Sequence, residues 1–353
     1  MAGGMVDKLK NGILSHDVGI DLGTANILVY VKDRGIVLRE PSIAVVQKDT
    51  DEIVKLGHAA LRMIGRTPEN LEVVRPLREG VIDKYRVTQQ MVSHLIRRAC
   101  GTTLIKPRVM VCIPTGATEV EECAVIDAAT SAGARQLFLV EEPVAAAMGA
   151  GLDISQANGK MVVDIGGGTT DIAVLSLNDL ATSSSIKIAG DTFDETIIAY
   201  LRRRFDLLIG VNTAEEIKIT IGGVMERPEE VSMMVKGRDL KTGLPRDVMV
   251  SSSEILEVMR RPARIIVEEV LSVLEQTSPE LVADIAKNGI VLTGGGSQIW
   301  GMDRMIQERT EIPVMVADSP DSCVALGCGK SLQWINSMQE GTINIARRKL
   351  MRE

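Results

Sequence analysis

Residues 161–175 run Met161-Val-Val-Asp164-Ile-Gly166-Gly167-Gly168-Thr169-Thr-Asp171-Ile-Ala-Val-Leu175. The apolar runs 161–163 and 172–175 have the length and β-branched content of strands, and three glycines part them. Without Cβ atoms the amides of the turn lie open, so its N–H groups can wrap phosphate oxygens. Asp164 closes the first strand, where a carboxylate can hold a divalent cation directly or through its waters. Alone, the stretch reads equally well as a glycine-rich hairpin with a capping aspartate. A second stretch, Val18-Gly-Ile-Asp21-Leu-Gly23-Thr24-Ala25-Asn26-Ile-Leu-Val-Tyr30, repeats the order of apolar strand, Asp, Gly-Thr turn and apolar strand. Its aspartate precedes Asp164 by about the length of one domain. Two such hairpins, one per lobe, could grip a polyphosphate from both sides. A third turn, Gly294-Gly295-Gly296-Ser297, follows the buried-strand pattern Ile290-Val-Leu-Thr293.

The bulk of the chain allows this reading. Its 353 residues, 45% of them hydrophobic, can bury the cores of two or three domains. An aromatic content of 2% and a net charge of −7 offer neither stacking platforms nor attraction for nucleic acid, so no nucleic-acid partner is expected. The five cysteines (100, 112, 123, 323 and 328) form no C-x-x-C pair and sit mostly in apolar surroundings. Zinc and disulfides are therefore not expected, and a reducing cytoplasm fits. With no signal-peptide pattern and no apolar run of about 18 residues, the chain reads as soluble or at most peripheral to a membrane.

Local patterns fill in the rest. Residues 1–16 read as a frayed terminus, favoured by Gly3, Gly4 and Gly12, or as a short amphipathic helix whose Lys8 and Lys10 could meet anionic lipid. The basic tail 343–352 reads equally as disordered or as touching acidic lipid. A helix is expected over 89–99, followed by a loop that carries Leu104 and Ile105 ahead of Lys106 and Arg108. Thr118 and Glu121 form a capping box opening a helix to about Ala132. The run Phe138-Leu-Val-Glu141-Glu142-Pro143 predicts a strand, two carboxylates and a proline at a helix start. From the residues alone the two glutamates compensate charge at the helix N-terminus. Ile188-Ala-Gly190-Asp191 leads into a helix expected over 195–208. Thr213 with Glu216 reads as a second capping box, and Glu215 and Lys218 share a helix face. A long helix opens at Ser252, with Pro262 expected to kink or split it.

The strings IDLGTAN (20–26), KDRGIVLREPS (32–42), MIGRTPEN (63–70), RPLREGVI (75–82), KPRVMVCIP (106–114), LVEEPVAAAMGAGL (139–152), VVDIGGGTTD (162–171), GRDLKTGLP (237–245) and VLTGGGS (291–297) resemble, in order, the MreB family of bacterial actin homologues. The match spans about residues 16–335. At the wider level the three glycine turns resemble the actin, hexokinase and heat-shock-chaperone ATPase superfamily. The resemblance implies an α/β, actin-like two-lobed ATPase fold, each lobe on an RNase-H-like mixed sheet with a small inserted subdomain. Its four parts would be IA (1–42, 76–155 and 328–353), IB (43–75), IIA (156–190 and 255–327) and IIB (191–254).

By the same resemblance the ligands are ATP and Mg2+, with Asp21 and Asp164 at the metal. Nucleotide contacts fall on Gly23, Thr24, Ala25 and Asn26, on Gly166, Gly167, Gly168 and Thr169, and on Gly190 and Asp191. They continue on Glu215, Glu216, Ile217 and Lys218 and on Gly294, Gly295, Gly296 and Ser297. Glu142 would position the attacking water with Thr169 as its hydroxyl partner, since phosphoryl transfer needs mainly positioning and charge neutralisation. Leu104 and Ile105 would contact the membrane. The implied function is slow, ATP-driven polymerisation into filaments on the inner face of the cytoplasmic membrane. Those filaments would organise lateral wall synthesis with the elongation machinery and hold rod shape. One departure is Asp171, where most such sequences carry Glu.

Three rivals share the fold. A metabolite kinase would need a spare base near the γ-phosphate, and no carboxylate here has a context that compels that role. A heat-shock chaperone would need a substrate domain beyond the ATPase, and this sequence stops at Glu353. A plasmid- or organelle-positioning actin would also polymerise, but LVEEPVAAA and the Leu104-Ile105 loop fit the wall-associated branch better.

Overall fold

The computed structural model describes residues 17–78, 80–101, 106–115 and 117–334. They form two compact units: 17–157, 176–180 and 321–334 in the first, and 158–175 and 181–320 in the second. Both are α/β, and their main sheets follow one plan. In the first unit the strand order is Gln136–Glu141, Arg108–Ile113, Asp17–Leu22, Asn26–Val31, Gly35–Pro41. Asp17–Leu22 is parallel to Arg108–Ile113 and antiparallel to Asn26–Val31. In the second the order is Val314–Val316, Ile290–Thr293, Lys160–Ile165, Thr170–Ser176, Asp179–Ile186. Lys160–Ile165 is likewise parallel to Ile290–Thr293 and antiparallel to Thr170–Ser176. Strands covered on both faces read as unbroken apolar runs. That is why Val18 and Ile20, Val109 and Val111, and 161–163 are fully or nearly fully buried.

Each unit has its own core. Met91, Leu95, Val111 and Leu139 belong to the first, and Met161, Ile172, Phe193, Ile197, Leu201 and Ile266 to the second. Each also carries a small three-stranded sheet. Ala44–Gln47 lies between Ile53–Leu56 and Leu71–Val74 in the first, and Ser232–Asp239 lies between Leu207–Leu208 and Pro245–Ser251 in the second.

Glycines set the closest approaches in the first unit. A Cβ at Gly327 would stand 1.8 Å from the Ala145 carbonyl oxygen, and one at Gly149 would stand 1.8 Å from that of Cys323. These absences let Cys323–Trp334 lie directly on Glu142–Gly149. At Gly19 a Cβ would meet Cys328 Cβ and the Gly329 amide nitrogen, both at 2.9 Å, so the same helix also sits against Asp17–Leu22.

The Thr118 capping box forms as the sequence predicts, opening the helix Glu119–Ser131. The one expected at Thr213 does not. That helix, Val211–Thr220, starts three residues earlier than the box requires, on the extended backbone of Gly210, which places Thr213 inside its first turn. The helix expected over 89–99 extends to Tyr85–Cys100, and the one expected over 195–208 is Gly190–Phe205. Ser252–Gln276 continues unsplit through the buried Pro262, because its apolar face stays packed from Ile255 to Val273. Among the described residues no helix is long and apolar enough to cross a membrane. Leu104, Ile105, residues 1–16 and the tail 343–352 lie outside the described residues.

Candidate functional site

In the first unit Asp21 pairs across the hairpin with Leu28, with only Leu22 between it and the Gly23–Ala25 turn. A Cβ at Gly23 would come within 2.5 Å of the Asn26 carbonyl oxygen, so the turn is open to glycine there. Thr24 is buried, and its hydroxyl oxygen accepts from the Gly80 amide at 3.2 Å while its O–H is left to donate. Ala25 accepts from the Ser42 amide through its carbonyl. Asn26 is exposed at the start of the return strand.

Asp21 is 7% exposed. Burial pushes its carboxyl up to about 7, against the opposing pull of a Cys112 thiol hydrogen bond and the charge of Arg39. That thiol donates to Asp21 Oδ1 at 3.5 Å, a weak donor for a desolvated carboxylate. A cation at Asp21 would remove much of this penalty, and oxygen donors are the class that magnesium takes. Arg39 is itself tied to Asp321 and to Ser322 Oγ. Glu142 is half-buried and is the first residue of the helix Glu142–Gly149, with Pro143 next. It reaches the same place: ligand atoms of Asp21, Cys112 and Glu142 all lie within 4.8 Å of one another.

In the second unit Asp164 is 3% exposed, opposite Asp171 in the hairpin and Thr293 in the parallel strand. The glycine turn closes with the Gly166 amide donating to the Thr169 carbonyl at 2.9 Å. Its outer carbonyls are taken from below: Gly190 N–H donates to Gly166 O at 3.1 Å and Asp191 N–H to Gly167 O at 2.8 Å. Gly190 and Asp191 thus support the turn with the N-terminus of their helix. Gly168 and Thr169, the second half of the turn, are buried, and the Thr170 hydroxyl donates to the Ile188 carbonyl at 2.7 Å.

Lys218 joins this assembly, donating to Gly190 O at 3.0 Å and Asp194 Oδ2 at 2.8 Å. Asp194, absent from the sequence reading, is 4% exposed, and burial raises its carboxyl to about 6 despite Lys218. Its sequence signal was a carboxylate three residues before Ile197 and seven before Leu201, on the apolar face of its helix. Ile217 is fully buried in the core, whereas Glu215 and Glu216 are exposed. In the third turn Gly294 has φ +79°, and a Cβ there would stand 2.3 Å from the Ile165 carbonyl oxygen. Gly295–Gln298 is a short 3-10 helix with Gly296 against Ile165 and the Ser297 hydroxyl donating to Gly294 O at 2.6 Å.

Twice, then, a buried aspartate stands one residue before the end of a central strand that leads into a Gly-Thr turn. A family model described as MreB/Mbl protein matches residues 15–340. The chain belongs to the MreB/Mbl family. It is 49% identical over 338 residues to the cell shape-determining protein MreB of Escherichia coli K12, covering 94% of this chain and 97% of that protein. Among solved structures, MreB5 of Spiroplasma citri bound to ADP is 36% identical with a TM-score of 0.86, over 92% of this chain and 97% of that one. The same protein bound to AMPPNP gives a TM-score of 0.85, over 92% and 96%. Membership in the MreB/Mbl family makes the repeated sheet plan an actin-like one.

Proposed function

We propose that the chain is an actin-like cytoskeletal ATPase that polymerises with ATP into filaments on the inner face of the cytoplasmic membrane, where it organises lateral wall synthesis and maintains rod shape. The observation that carries this reading is the pair of Asp-ended Gly-Thr hairpins in a chain of the MreB/Mbl family. The likeness to an MreB5 crystallised with ADP and with AMPPNP supports ATP as the nucleotide. The four-subdomain division belongs to the same proposal, as do Leu104 and Ile105 as membrane contacts.

In this reading Asp21 and Asp164 hold Mg2+, which when bound neutralises phosphate charge. The turn amides of Gly23–Asn26 and Gly166–Thr169 and the Thr24 hydroxyl bind phosphate oxygens. Gly294–Ser297 and the Glu215–Lys218 turn take the adenosine end. Glu142, with Thr169, orients the water that attacks the γ-phosphate. The test is phosphate release and pelleting measured on one sample of purified protein. Release and sedimentable polymer that both require ATP and Mg2+ support the reading. A protein that binds ATP but never pellets, and phosphorylates an added metabolite instead, overturns it.

A further inference from the structure

Among the described residues the cluster of Asp21, Cys112 and Glu142 mixes hard and soft donors. All three stand at element ends of the first unit: the strands Asp17–Leu22 and Arg108–Ile113, and the first turn of Glu142–Gly149. We propose that this cluster is a binding site for a thiophilic divalent cation, Zn2+, held by the Asp21 and Glu142 carboxylates and the Cys112 thiolate. The site deepens the ATPase reading, on which its regulatory meaning rests. Zn2+ there occupies the cation-facing aspartate and ties down the water-positioning glutamate, so it inhibits turnover.

Three observations carry it. The first is spacing. A tetrahedral zinc with sulfur at about 2.3 Å and oxygen at about 2.0–2.2 Å sets its ligand atoms roughly 3.3–3.8 Å apart. Cys112 Sγ and Asp21 Oδ1 are already 3.5 Å apart, and the widest separation in the cluster is within 4.8 Å, closed by side-chain rotation. The second is donor chemistry. Magnesium demands oxygen ligands in near-octahedral array, whereas a thiolate selects zinc-like ions. A sulfur beside the aspartate therefore adds affinity for zinc that it cannot add for magnesium.

The third is orientation. A Cβ at Gly19 would stand 2.9 Å from Cys328 Cβ, so its absence lets the Cys328 helix lie directly on the strand that carries Asp21. Cys112 is buried with its thiol donating to Asp21 Oδ1, so the sulfur already faces the carboxylate. Binding breaks the Cys112 S–H bond, forms an S–Zn bond and releases the proton to solvent, with no change of oxidation state.

The experiment is titration of nucleotide-free protein with Co2+, followed by the thiolate-to-cobalt charge-transfer absorption in the near ultraviolet. The expected result is saturation at one equivalent, displacement by stoichiometric Zn2+, and no displacement by millimolar Mg2+. The band disappears in Cys112→Ser and persists in Cys123→Ser, which removes the exposed cysteine. Asp21→Asn and Glu142→Gln each keep the thiol and weaken Co2+ binding by about tenfold or more. They keep the proposal testable if Cys112→Ser does not fold. Absence of the band, its survival in Cys112→Ser, or unchanged affinity in both carboxylate variants overturns the site. Because no nucleotide is present, such a failure leaves the ATPase reading standing, and failure of ATP binding leaves the cobalt result standing.

Discussion

The role proposed for Glu142 separates binding from turnover. It is the first residue of the helix Glu142–Gly149, with a carboxylate oxygen within 4.8 Å of the ligand atoms of Asp21 and Cys112. Glu142→Ala is therefore expected to keep ATP affinity while slowing phosphate release about 100-fold, the scale of a lost positioning contact. Equal loss of affinity and rate in a filter-binding and phosphate-release pair contradicts that role. Lys218 makes a different case. Its ammonium bridges Asp194 and the Gly190 carbonyl with 12% and 5% of the two side chains exposed. Lys218→Ala leaves the Asp194 carboxylate buried without its cation and is expected to cost about 3 kcal/mol or more in urea unfolding.

The pH dependence follows from the raised Asp194 carboxyl, about 6 against an ordinary 3.8. The folded state then binds the proton more tightly than the unfolded chain. The burial penalty is absent below about pH 4, grows as pH rises and is complete above about pH 6. Asp194→Asn removes this contribution, so its unfolding free energy falls less between pH 4 and pH 6 than that of the native chain. An identical slope for both would show that Asp194 does not titrate in that window. Neither Asp194 nor Cys112 stood out in the sequence. Each gains its chemistry from a partner on another element, Lys218 for one and Asp21 and Glu142 for the other. Spacing along one element finds ligands of one element and misses these.

At the scale of elements, the glycine turns were plain from the residues and their supports were not. The strings around Asp21 and Asp164 predict both hairpins because a strand of apolar residues, a glycine turn and a return strand are all local. That the N-terminus of Gly190–Phe205 would hold the Gly166 and Gly167 carbonyls is a tertiary fact. Helix starts show the same division. Thr118 and Glu121 cap as read, while Thr213 and Glu216 lose to Gly210, whose extended backbone begins the helix earlier. Val211–Thr220 buries Ala214 and Ile217, and Thr213 lies within its first turn rather than at its cap.

The third turn supports the end of Lys160–Ile165 through Gly294 and Gly296. Gly294→Ala would force a side chain into φ +79° and into the Ile165 carbonyl. The backbone strain alone is about 1–3 kcal/mol. Thermal unfolding of Gly294→Ala should show at least that loss, with Gly295→Ala, where a Cβ meets open space, close to native. Equal stability of the two variants contradicts the packing described for this turn.

For the whole molecule, two units each build a five-stranded mixed sheet in the same order around a buried aspartate. The sequence showed this duplication as a repeated motif separated by a domain's length. The small sheets at 44–74 and 207–251 lack the Asp-ended glycine turn: the first is built of four-residue strands, and in the second Ser232–Asp239 and Pro245–Ser251 are longer but partly exposed. Assembly is the property that a single chain displays least directly, since a head-to-tail contact that does not close into a ring yields a filament.

Electron microscopy of the purified protein with Mg-ATP, with and without anionic vesicles, tests the central claim most directly. The account predicts filaments that form with nucleotide, fail to form in Asp21→Asn, and lie along the lipid surface when vesicles are present. ATP bound at full occupancy with no filament under any salt or lipid condition would contradict it.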